Sequence, residues 1–314
     1  MTTTADRPQI VFFGSGPVAA QSLQLLLEWC DVEAVVTKPQ PAHHKEPFPV
    51  LTVASQYNLK RFTAQGRKEL SEVFASKPVA SRIGVVIDFG FIINQDVIDY
   101  FPLGIINSHF SLLPEWRGAD PITFAILSGQ PRTGVSLMSI VAAMDEGPLL
   151  AQGEHTMHPD ETTPSLTQEL IHLSDGLLRE SLPGYIDGRL KLASQEEVCR
   201  MIGREYRPTY SRKLSKEDGV LDFTKSAVQL EREIRAFIDW PKSRTVLAGK
   251  DVVVTRAHAV PTNDPDSKPG DVSVVKAAGV IQIQTSDGNL CVERLKPAGK
   301  PEMSAIAFLA GNKL

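Results

Sequence analysis

The chain has 314 residues, is 42% hydrophobic and carries a formal net charge of −4, which suits one large or two smaller globular domains. Met1 to Arg7 lacks the basic start and long apolar run of a secretory signal, so we expect a cytoplasmic protein. No apolar run reaches the roughly 18 residues that cross a bilayer, because Asp88, Asn94 and Asp96 interrupt the most apolar region, which excludes a membrane-spanning protein.

The first half of the chain alternates short β-branched runs with helical patterns, which is typical of parallel strands joined by helical crossovers. A strand at Gln9–Phe13 leads through Gly14-Ser15-Gly16 into a helix that Pro17 begins. The pattern predicts an α/β fold with an open, mostly parallel, Rossmann-like sheet. Further strands are expected at Val32–Thr37, Ile83–Ile87, Gly104–Ser108, Thr133–Val141 and Leu149–Met157, and a helix at about Ser165 to Leu182.

The second half has a different pattern, in which short strands are separated by turns that contain Gly, Pro and Asp. A charged, weakly periodic stretch from about Leu192 to Tyr210 is interpreted as a linker. We therefore predict a catalytic domain at residues 1–190, a linker at 191–209 and a smaller β-barrel domain at 210–314. In the β-barrel domain we expect a helix at Ala227–Phe237 and strands at Val252–Arg256, Val272–Val275, Val280–Gln284 and Leu290–Glu293.

The charge is divided unevenly along the chain. Residues 1–190 carry 13 basic and 21 acidic side chains, a net −8, whereas residues 191–314 carry 20 and 16, a net +4. Because attraction to phosphate is screened beyond roughly 10 Å, a positive domain can hold a polyanion within an acidic chain. A solvated basic surface without a partner is the alternative.

The three cysteines, Cys30, Cys199 and Cys291, are isolated from one another and show no metal-ligand spacing. We expect buried free thiols, as in a reducing compartment, and no metal site.

The turn from Gly14 to Ala19 matches the G-x-G-x-x-[GA] pattern of dinucleotide-binding proteins. An NAD(P)-dependent oxidoreductase is therefore an alternative. An NAD site also needs an acidic residue at the end of the second strand, and Lys38 stands there instead, which a phosphate-bearing cofactor would tolerate. We interpret the glycines as a tight turn where strand meets helix.

Asn107 and His109 lie two residues apart at the end of a predicted strand, so their side chains point to the same face. An asparagine amide can stabilise a developing oxyanion, and a histidine can give or take a proton near neutral pH. The pair alone is equally compatible with a structural histidine.

The sequence around this pair contains Asn107-x-His109-x-Ser-Leu-Leu-Pro, then Arg117-Gly, and later the turn Asp145-Glu-Gly. In this combination it resembles the folate-dependent formyltransferases. The resemblance implies that Asn107, His109 and Asp145 are catalytic and that no metal takes part. It also implies folate-binding residues in two segments, namely Phe89, Gly90, Phe91 and Ile92, and Ser111, Leu112, Leu113 and Pro114.

The second domain resembles the members of this family that formylate methionyl-tRNA, through Tyr210–Asp218, Ile234–Pro241 and Leu295–Ala305. The resemblance implies an OB-like barrel, 10-formyltetrahydrofolate as co-substrate, initiator methionyl-tRNA as acceptor and a role in translation initiation. We expect a monomer. The basic residues expected to bind tRNA are Lys38, Arg117, Arg207, Arg212, Lys213, Lys216, Arg235 and Lys242.

Three features depart from the family pattern. Lys38–Val50 is short and holds two lysines where a basic, glycine-rich insertion is frequent, Phe110 replaces a glycine, and Glu115 replaces a basic residue. The catalytic mouth is therefore expected to be bulkier and less positive. A formyltransferase for an amino sugar nucleotide, a formyltetrahydrofolate hydrolase and a non-catalytic tRNA-binding protein remain alternatives.

Overall fold

A computed structural model describes residues 7–40, 48–261 and 268–312. The chain forms two compact units that are not simple halves of the sequence. The first unit contains the chain up to Gly118 together with Arg132–Thr156 and Thr167–Ser211, and the second contains Ala119–Pro131, Met157–Leu166 and the chain from Arg212 onward. Residues 191–209, which we interpreted as a linker, are thus part of the first unit.

The elements alternate through the first unit and become mainly β-structure in the second. The helices are α1 (Pro17–Leu26), α2 (Pro49–Gln56), α3 (Arg67–Ser76), α4 (Gln95–Tyr100), α5 (Pro121–Ser128), α6 (Thr163–Ile186), α7 (Gln195–Met201), α8 (Ala227–Ala236) and α9 (Ala305–Ala310), with a 3-10 turn at Glu217–Gly219. The strands are β1 (Gln9–Phe13), β2 (Asp31–Thr37), β3 (Lys60–Thr63), β4 (Gly84–Val86), β5 (Ile105–His109), β6 (Arg117–Gly118), β7 (Arg132–Ser139), β8 (Leu149–Thr156), β9 (Tyr210–Ser211), β10 (Arg244–Leu247), β11 (Lys250–Pro261), β12 (Val272–Val275), β13 (Val280–Gln284), β14 (Gly288–Pro297) and β15 (Met303–Ser304).

The first unit is built on a seven-stranded sheet in the order β3-β2-β1-β4-β5-β7-β8. The strands from β3 to β5 are parallel, whereas β7 and β8 continue the sheet in antiparallel pairing. Central parallel strands are covered on both faces, and Ile10–Phe13 of β1 is accordingly buried throughout. The predicted open, mostly parallel α/β sheet is confirmed.

An aromatic cluster fixes the loop that follows β4. Phe13, at the end of β1, has ring centroids 5.7 Å from Phe74 and Phe89 and 6.0 Å from Phe101. Burying one such ring contributes about 1.5–3 kcal/mol, and stacked or edge-on pairs add about 1 kcal/mol. The β4 loop, which carries Phe89, is therefore anchored at the carboxyl edge of the sheet, where sites in such folds are found.

The second unit contains a curled, antiparallel half-barrel sheet in the order β10-β11-β14-β13-β12, with β15 paired to β14. Helix α8 covers it, because Leu230 and Ile234 join the same buried cluster as Ile281 and Val292. This confirms the predicted β-rich second part. β12 and β13 have the predicted bounds, whereas β11 is longer than Val252–Arg256, since register shifts interrupt its alternation.

No helix in the described part of the chain is long and apolar enough to cross a membrane. The three cysteines are buried and free, as expected, and burial raises the pKa of each thiol.

Candidate active site

The glycine turn after β1 is closed by the protein's own backbone. Ser15 N–H and Gly16 N–H both donate to the carbonyl oxygen of Asp88, at 3.0 and 3.5 Å. A Cβ at Gly14 would lie 2.5 Å from Ala19 Cβ, so this glycine is required by close packing of strand against helix. The N–H groups that would bind a pyrophosphate are therefore already used, which favours the tight-turn interpretation over dinucleotide binding.

His109 lies at the last position of β5, and antiparallel pairing places it opposite Ser136 of β7. Its ring is buried, and Nε2 lies 3.0 Å from the carbonyl oxygen of Trp116. Because a carbonyl oxygen can only accept, Nε2 carries the hydrogen of this bond. Nδ1 is thus the ring nitrogen left to exchange a proton, and it faces Asp145 Oδ2 at 3.8 Å.

Asp145 occupies a tight turn between β7 and β8 with a left-handed backbone, φ 53°. Its Oδ2 accepts a 2.7 Å hydrogen bond from the N–H of Gly118. The separation of 3.8 Å from His109 exceeds a direct hydrogen bond but lies within close electrostatic reach. A Cβ at Gly147 would lie 1.7 Å from the carbonyl oxygen of Ser139, so the turn requires a glycine there.

Asn107 is on β5 two residues before His109, and the alternation of the strand gives the two side chains one face. It is half-buried, and no group in the described part of the chain hydrogen-bonds its side-chain amide. The structure thus brings His109 and Asp145 together and places a free amide donor on the same strand face.

The segment Trp116–Gly118 is held by a second stretch of chain that follows α7. Trp116 N–H donates to Thr209 Oγ1 and Arg117 N–H to the Thr209 carbonyl, both at 2.9 Å. β6 and β9 then pair in parallel. Gly118 has φ 104°, and a Cβ there would lie 2.5 Å from the Ser211 carbonyl oxygen. The Gly118 N–H that binds Asp145 is therefore oriented by β9.

Arg117 is 3% exposed and does not offer its guanidinium to a partner outside the protein. Nη1 lies 3.0 Å from Glu146 Oε1, and Nη2 donates to Gln195 Oε1 at 2.7 Å and to the Tyr206 hydroxyl at 3.0 Å. Contact of Arg117 with tRNA phosphates stays a prediction, which its burial and its partners disfavour. The charge is buried because Glu146 and two polar side chains supply its partners.

Gln195 connects Arg117 to the turn that carries Asp145. Its Nε2 donates to the carbonyl oxygens of Asp145 at 2.7 Å and Gly147 at 3.1 Å. Gln195 was not predicted from the sequence, because a glutamine in a charged stretch is usually exposed. A local signal was present: Ser194 and Glu197 have capping-box spacing, and Ser194 Oγ accepts from Glu197 N–H as the cap of α7.

The predicted folate segment Ser111–Pro114 is buried throughout. Ser136 Oγ donates to the Ser111 carbonyl at 2.7 Å and accepts from Leu113 N–H at 2.9 Å, while Gln152 Nε2 donates to the Leu113 carbonyl at 2.7 Å. The segment is a rigid wall beside His109 with little side-chain surface available. Contact with folate stays a prediction for Ser111, Leu112, Leu113 and Pro114.

The β4 loop offers more surface. Phe89 is buried in the aromatic cluster, Gly90 has φ 70°, and Ile92 is 50% exposed. Lys38 Nζ lies 4.6 Å above the Phe91 ring. A Cβ at Gly90 would lie 2.7 Å from the same Lys38 Nζ. Lys38 therefore packs on this loop. Residues 41–47 of the Lys38–Val50 stretch lie outside the described residues.

The remaining basic residues expected to bind tRNA differ in availability. Arg207 of the first unit and Lys213, Lys216 and Lys242 of the second are exposed. Arg212 is exposed but paired with Asp218, and its hydrogen bond lowers the pKa of that carboxyl group. Arg235 is half-buried and bound by Glu231 and by the Glu161 carbonyl, which leaves its guanidinium little room for a phosphate.

In the described part of the chain, no group of three or more His, Cys, Asp or Glu side chains has an arrangement that could hold a metal ion.

Comparison with known proteins extends over both units. Residues 9–182 match the formyl transferase family, and residues 213–313 match the formyl transferase C-terminal domain. A methionyl-tRNA formyltransferase from Myxococcus xanthus is 38% identical over 313 residues, which is 98% of this chain and 96% of the relative. One from Roseiflexus castenholzii is 33% identical over 312 residues, again 98% and 96%.

Among solved structures, the Helicobacter canadensis N-formyltransferase in complex with folinic acid and dTDP-3-aminofucose aligns with a TM-score of 0.67 at 18% identity. The alignment covers 91% of this chain and 98% of that one. HypX from Aquifex aeolicus aligns with a TM-score of 0.64 at 16% identity, covering 98% of this chain and 48% of that one. At these identities the similarity concerns the fold.

Proposed function

Because this chain belongs to the formyl transferase family, we propose that it transfers a formyl group from 10-formyltetrahydrofolate to the free amine of initiator methionyl-tRNA. The observation that supports methionyl-tRNA as the acceptor is the similarity to methionyl-tRNA formyltransferases through both units of the chain. The Helicobacter canadensis N-formyltransferase, in complex with dTDP-3-aminofucose, shares the fold at a much lower identity of 18%. Such an enzyme would act in the cytoplasm at translation initiation, and we retain the expectation of a monomer.

The donor would bind at the carboxyl edge of the sheet, between the β4 loop and the wall Ser111–Pro114. The half-exposed Ile92 and half-buried Phe91 supply apolar surface for a flat ring, and backbone groups around Gly90 can hydrogen-bond its polar edge. Phe89 supports this loop from the core. The folinic acid bound by the Helicobacter canadensis protein supports a folate of this type.

In the proposed reaction the amine nitrogen attacks the formyl carbon, and a carbon–nitrogen bond forms as the carbonyl π-electrons move onto oxygen. The tetrahedral adduct then breaks its bond to the donor nitrogen, which leaves with a proton. The protein has to hold two substrates in register, stabilise one negative oxygen and move one proton.

We assign the proton transfer to His109. The Trp116 carbonyl fixes the hydrogen on Nε2, so Nδ1 accepts the proton that the attacking amine loses and returns it to the leaving nitrogen. Asp145 Oδ2, 3.8 Å from Nδ1, stabilises the imidazolium form between these two events. The Gly118 N–H keeps this carboxylate in place.

We assign the stabilisation of the oxyanion to Asn107. Its amide N–H donors share the strand face of His109 and are not engaged by any group in residues 7–40, 48–261 or 268–312. A neutral donor suits this task because it stabilises negative charge without changing its own protonation.

The acceptor's phosphates would be bound by exposed basic side chains. In the second unit Lys213, Lys216 and Lys242 are exposed, and Arg212 adds a charge already oriented by Asp218. Together with Arg207 and the half-buried Lys38 they are the tRNA contacts of this proposal, whereas burial and existing partners disfavour Arg117 and Arg235. Attraction to phosphate then falls steeply with salt.

The test supplies radiolabelled formyl donor with charged initiator tRNA, charged elongator tRNA and an amino sugar nucleotide in parallel. Label is expected on the initiator methionyl-tRNA. Label on the sugar nucleotide alone would mean that the acceptor is an amino sugar nucleotide and not methionyl-tRNA. Free labelled formate without any acceptor would indicate a hydrolase. No release or transfer at all would contradict formyl transfer.

A further inference from the structure

We propose that Gln195 is a positioning residue that holds the turn of Asp145 in its working place against His109. The inference rests on the proposed function, since it assigns Gln195 a part in that reaction. Gln195 lies at the start of α7, in the stretch that the sequence pattern assigned to a linker, and its side chain hydrogen-bonds Arg117, Asp145 and Gly147 rather than His109 or Asn107.

The Gln195 side chain is 3% exposed and uses both ends of its amide. Nε2 donates to the carbonyl oxygens of Asp145 and Gly147, which bracket the turn, and Oε1 accepts from Arg117 Nη2. Each buried hydrogen bond of this kind contributes about 1 kcal/mol, and leaving a partner unpaired costs about 1–3 kcal/mol. One side chain therefore satisfies two backbone carbonyls of the turn, that of Asp145 itself and that of Gly147.

Arg117 extends the same connection to the other side of Asp145. It bonds Glu146 through Nη1, and its neighbour Gly118 donates to Asp145 Oδ2. Gln195 thus contacts the backbone of the turn directly and the donor of its carboxylate through Arg117. Displacement of either contact would move the carboxylate relative to His109.

A glutamine suits this position better than any charged residue. A glutamate would accept from Arg117 but could not donate to the carbonyls of Asp145 and Gly147, and it would place another negative charge beside the turn. A methionine would fill the same volume without either hydrogen-bonding end. These two substitutions separate the donor, the acceptor and the packing contributions.

The experiment compares Gln195→Ala, Gln195→Met and Gln195→Glu with Glu196→Ala, which alters the adjacent exposed residue of α7. Steady-state kinetics are measured in both substrates, with circular dichroism and thermal unfolding as checks on folding. We expect each Gln195 variant to lose kcat by on the order of 10-fold to 100-fold, with both KM values within about 2-fold of wild type because neither substrate is contacted. The Glu196→Ala protein should match the wild type.

A double-mutant cycle with Asp145→Asn provides the second readout. If Gln195 acts through Asp145, Gln195→Met should cost almost nothing further in the Asp145→Asn background. Multiplying losses would overturn the proposal, as would a rise in KM at unchanged kcat. If the Ala variant does not fold, the Met and Glu variants decide the question.

A third readout does not depend on activity. The Gly118 amide is bonded to Asp145 Oδ2, so its hydrogen exchange reports the position of that carboxylate. Exchange should accelerate by on the order of 10-fold in Gln195→Met and in Asp145→Ala, which removes the acceptor, and not in Glu196→Ala. Unchanged exchange in Gln195→Met would reject positioning by Gln195. A wild-type protein that labels no acceptor would reject the proposed function while leaving this result standing.

Discussion

The backbone N–H of Gly118 donates to Oδ2 of Asp145 over 2.7 Å, although 27 residues separate the two in the chain. The bond is made from β6, whose position is set by its pairing with β9. The carboxylate is therefore oriented by the backbone of one segment while its own turn is fixed by the side chain of another.

Gly118→Ala should break this arrangement. The residue has φ 104°, and the new Cβ would lie 2.5 Å from a backbone oxygen of Ser211, so strain and overlap should cost about 1–3 kcal/mol of stability. We expect kcat to fall by on the order of 10-fold or more, measured by steady-state kinetics on folded protein. Gly176→Ala is the control, since its Cβ meets nothing within 4 Å in α6. Equal activity of the two variants would contradict the role of the Gly118 bond.

His109→Ala and Asp145→Ala should each reduce turnover by on the order of 10²-fold or more, because each removes a group that handles the reaction's proton or stabilises its charged form. Circular dichroism should show a folded protein. His172→Ala, which removes an exposed imidazole of α6, should retain the wild-type rate. A near-normal rate in either active-site variant would remove that residue from the mechanism.

Reversing two charges of the second unit should weaken tRNA binding without affecting chemistry. For Lys213→Glu with Lys216→Glu, both exposed, we expect the KM for methionyl-tRNA to rise about 10-fold at low salt, with a shallower salt dependence because fewer counterions are released. The kcat at saturating tRNA should stay unchanged. The matched control is Lys276→Glu, at an exposed position not assigned to tRNA. An equal effect in the control would indicate a general charge effect.

The stability of the second unit should depend on pH through Asp218. The hydrogen bond from Arg212 lowers the pKa of this carboxyl group in the folded state. A depressed folded pKa gives stability that is present above the unfolded value, near 4, and lost as the pH falls towards the folded value. Because Arg212 is largely exposed, Asp218→Asn should cost about 1 kcal/mol at pH 7.

This difference is measured as the change in unfolding midpoint in denaturant, and it should shrink as the pH falls below about 4. Asp239→Asn, which removes the same charge at an exposed site, should change the midpoint little at any pH. A difference for Asp218→Asn that grew with acidification would contradict the assigned sign.

The purified protein should bind neither NAD(H) nor NADP(H) at millimolar concentration, as measured by calorimetry. The Ser15 and Gly16 N–H groups, which either cofactor would need for its pyrophosphate, are bonded to Asp88. For NAD(H), Lys38 also stands where an acidic ribose ligand would be needed. Measurable saturable binding would restore the oxidoreductase as a candidate.

The local sequence pattern was sufficient to predict the bounds of strands whose alternation is regular. β1, β12 and β13 have the predicted bounds because turn residues flank short β-branched runs. β3 was missed, since Phe62 is its one buried residue and no period appears. The antiparallel direction of β7 was not predicted either, because the residues of a single strand do not encode the direction of its neighbour.

For the site, the motif predicted Asn107, His109 and Asp145, and the structure places the last two side by side. Their supports could not be found in this way. Arg117 and Gln195 are buried by mutual hydrogen bonds between distant segments, and composition predicts exposure for both residue types. A buried polar network depends on residues that are distant in the sequence, and the hydrophobic periodicity of a single segment does not identify them.

The segment from Gln195 to Ser211 lies beyond residue 182, where the first family match ends. A chain cut at that boundary would keep Asn107, His109 and Asp145 but would lose both the amide that holds the turn and the strand that orients Gly118. A minimal catalytic fragment must therefore extend through Ser211, and so must the donor half of any chimera between family members. In the proposed mechanism, the site would be complete during synthesis only after this late segment has left the ribosome.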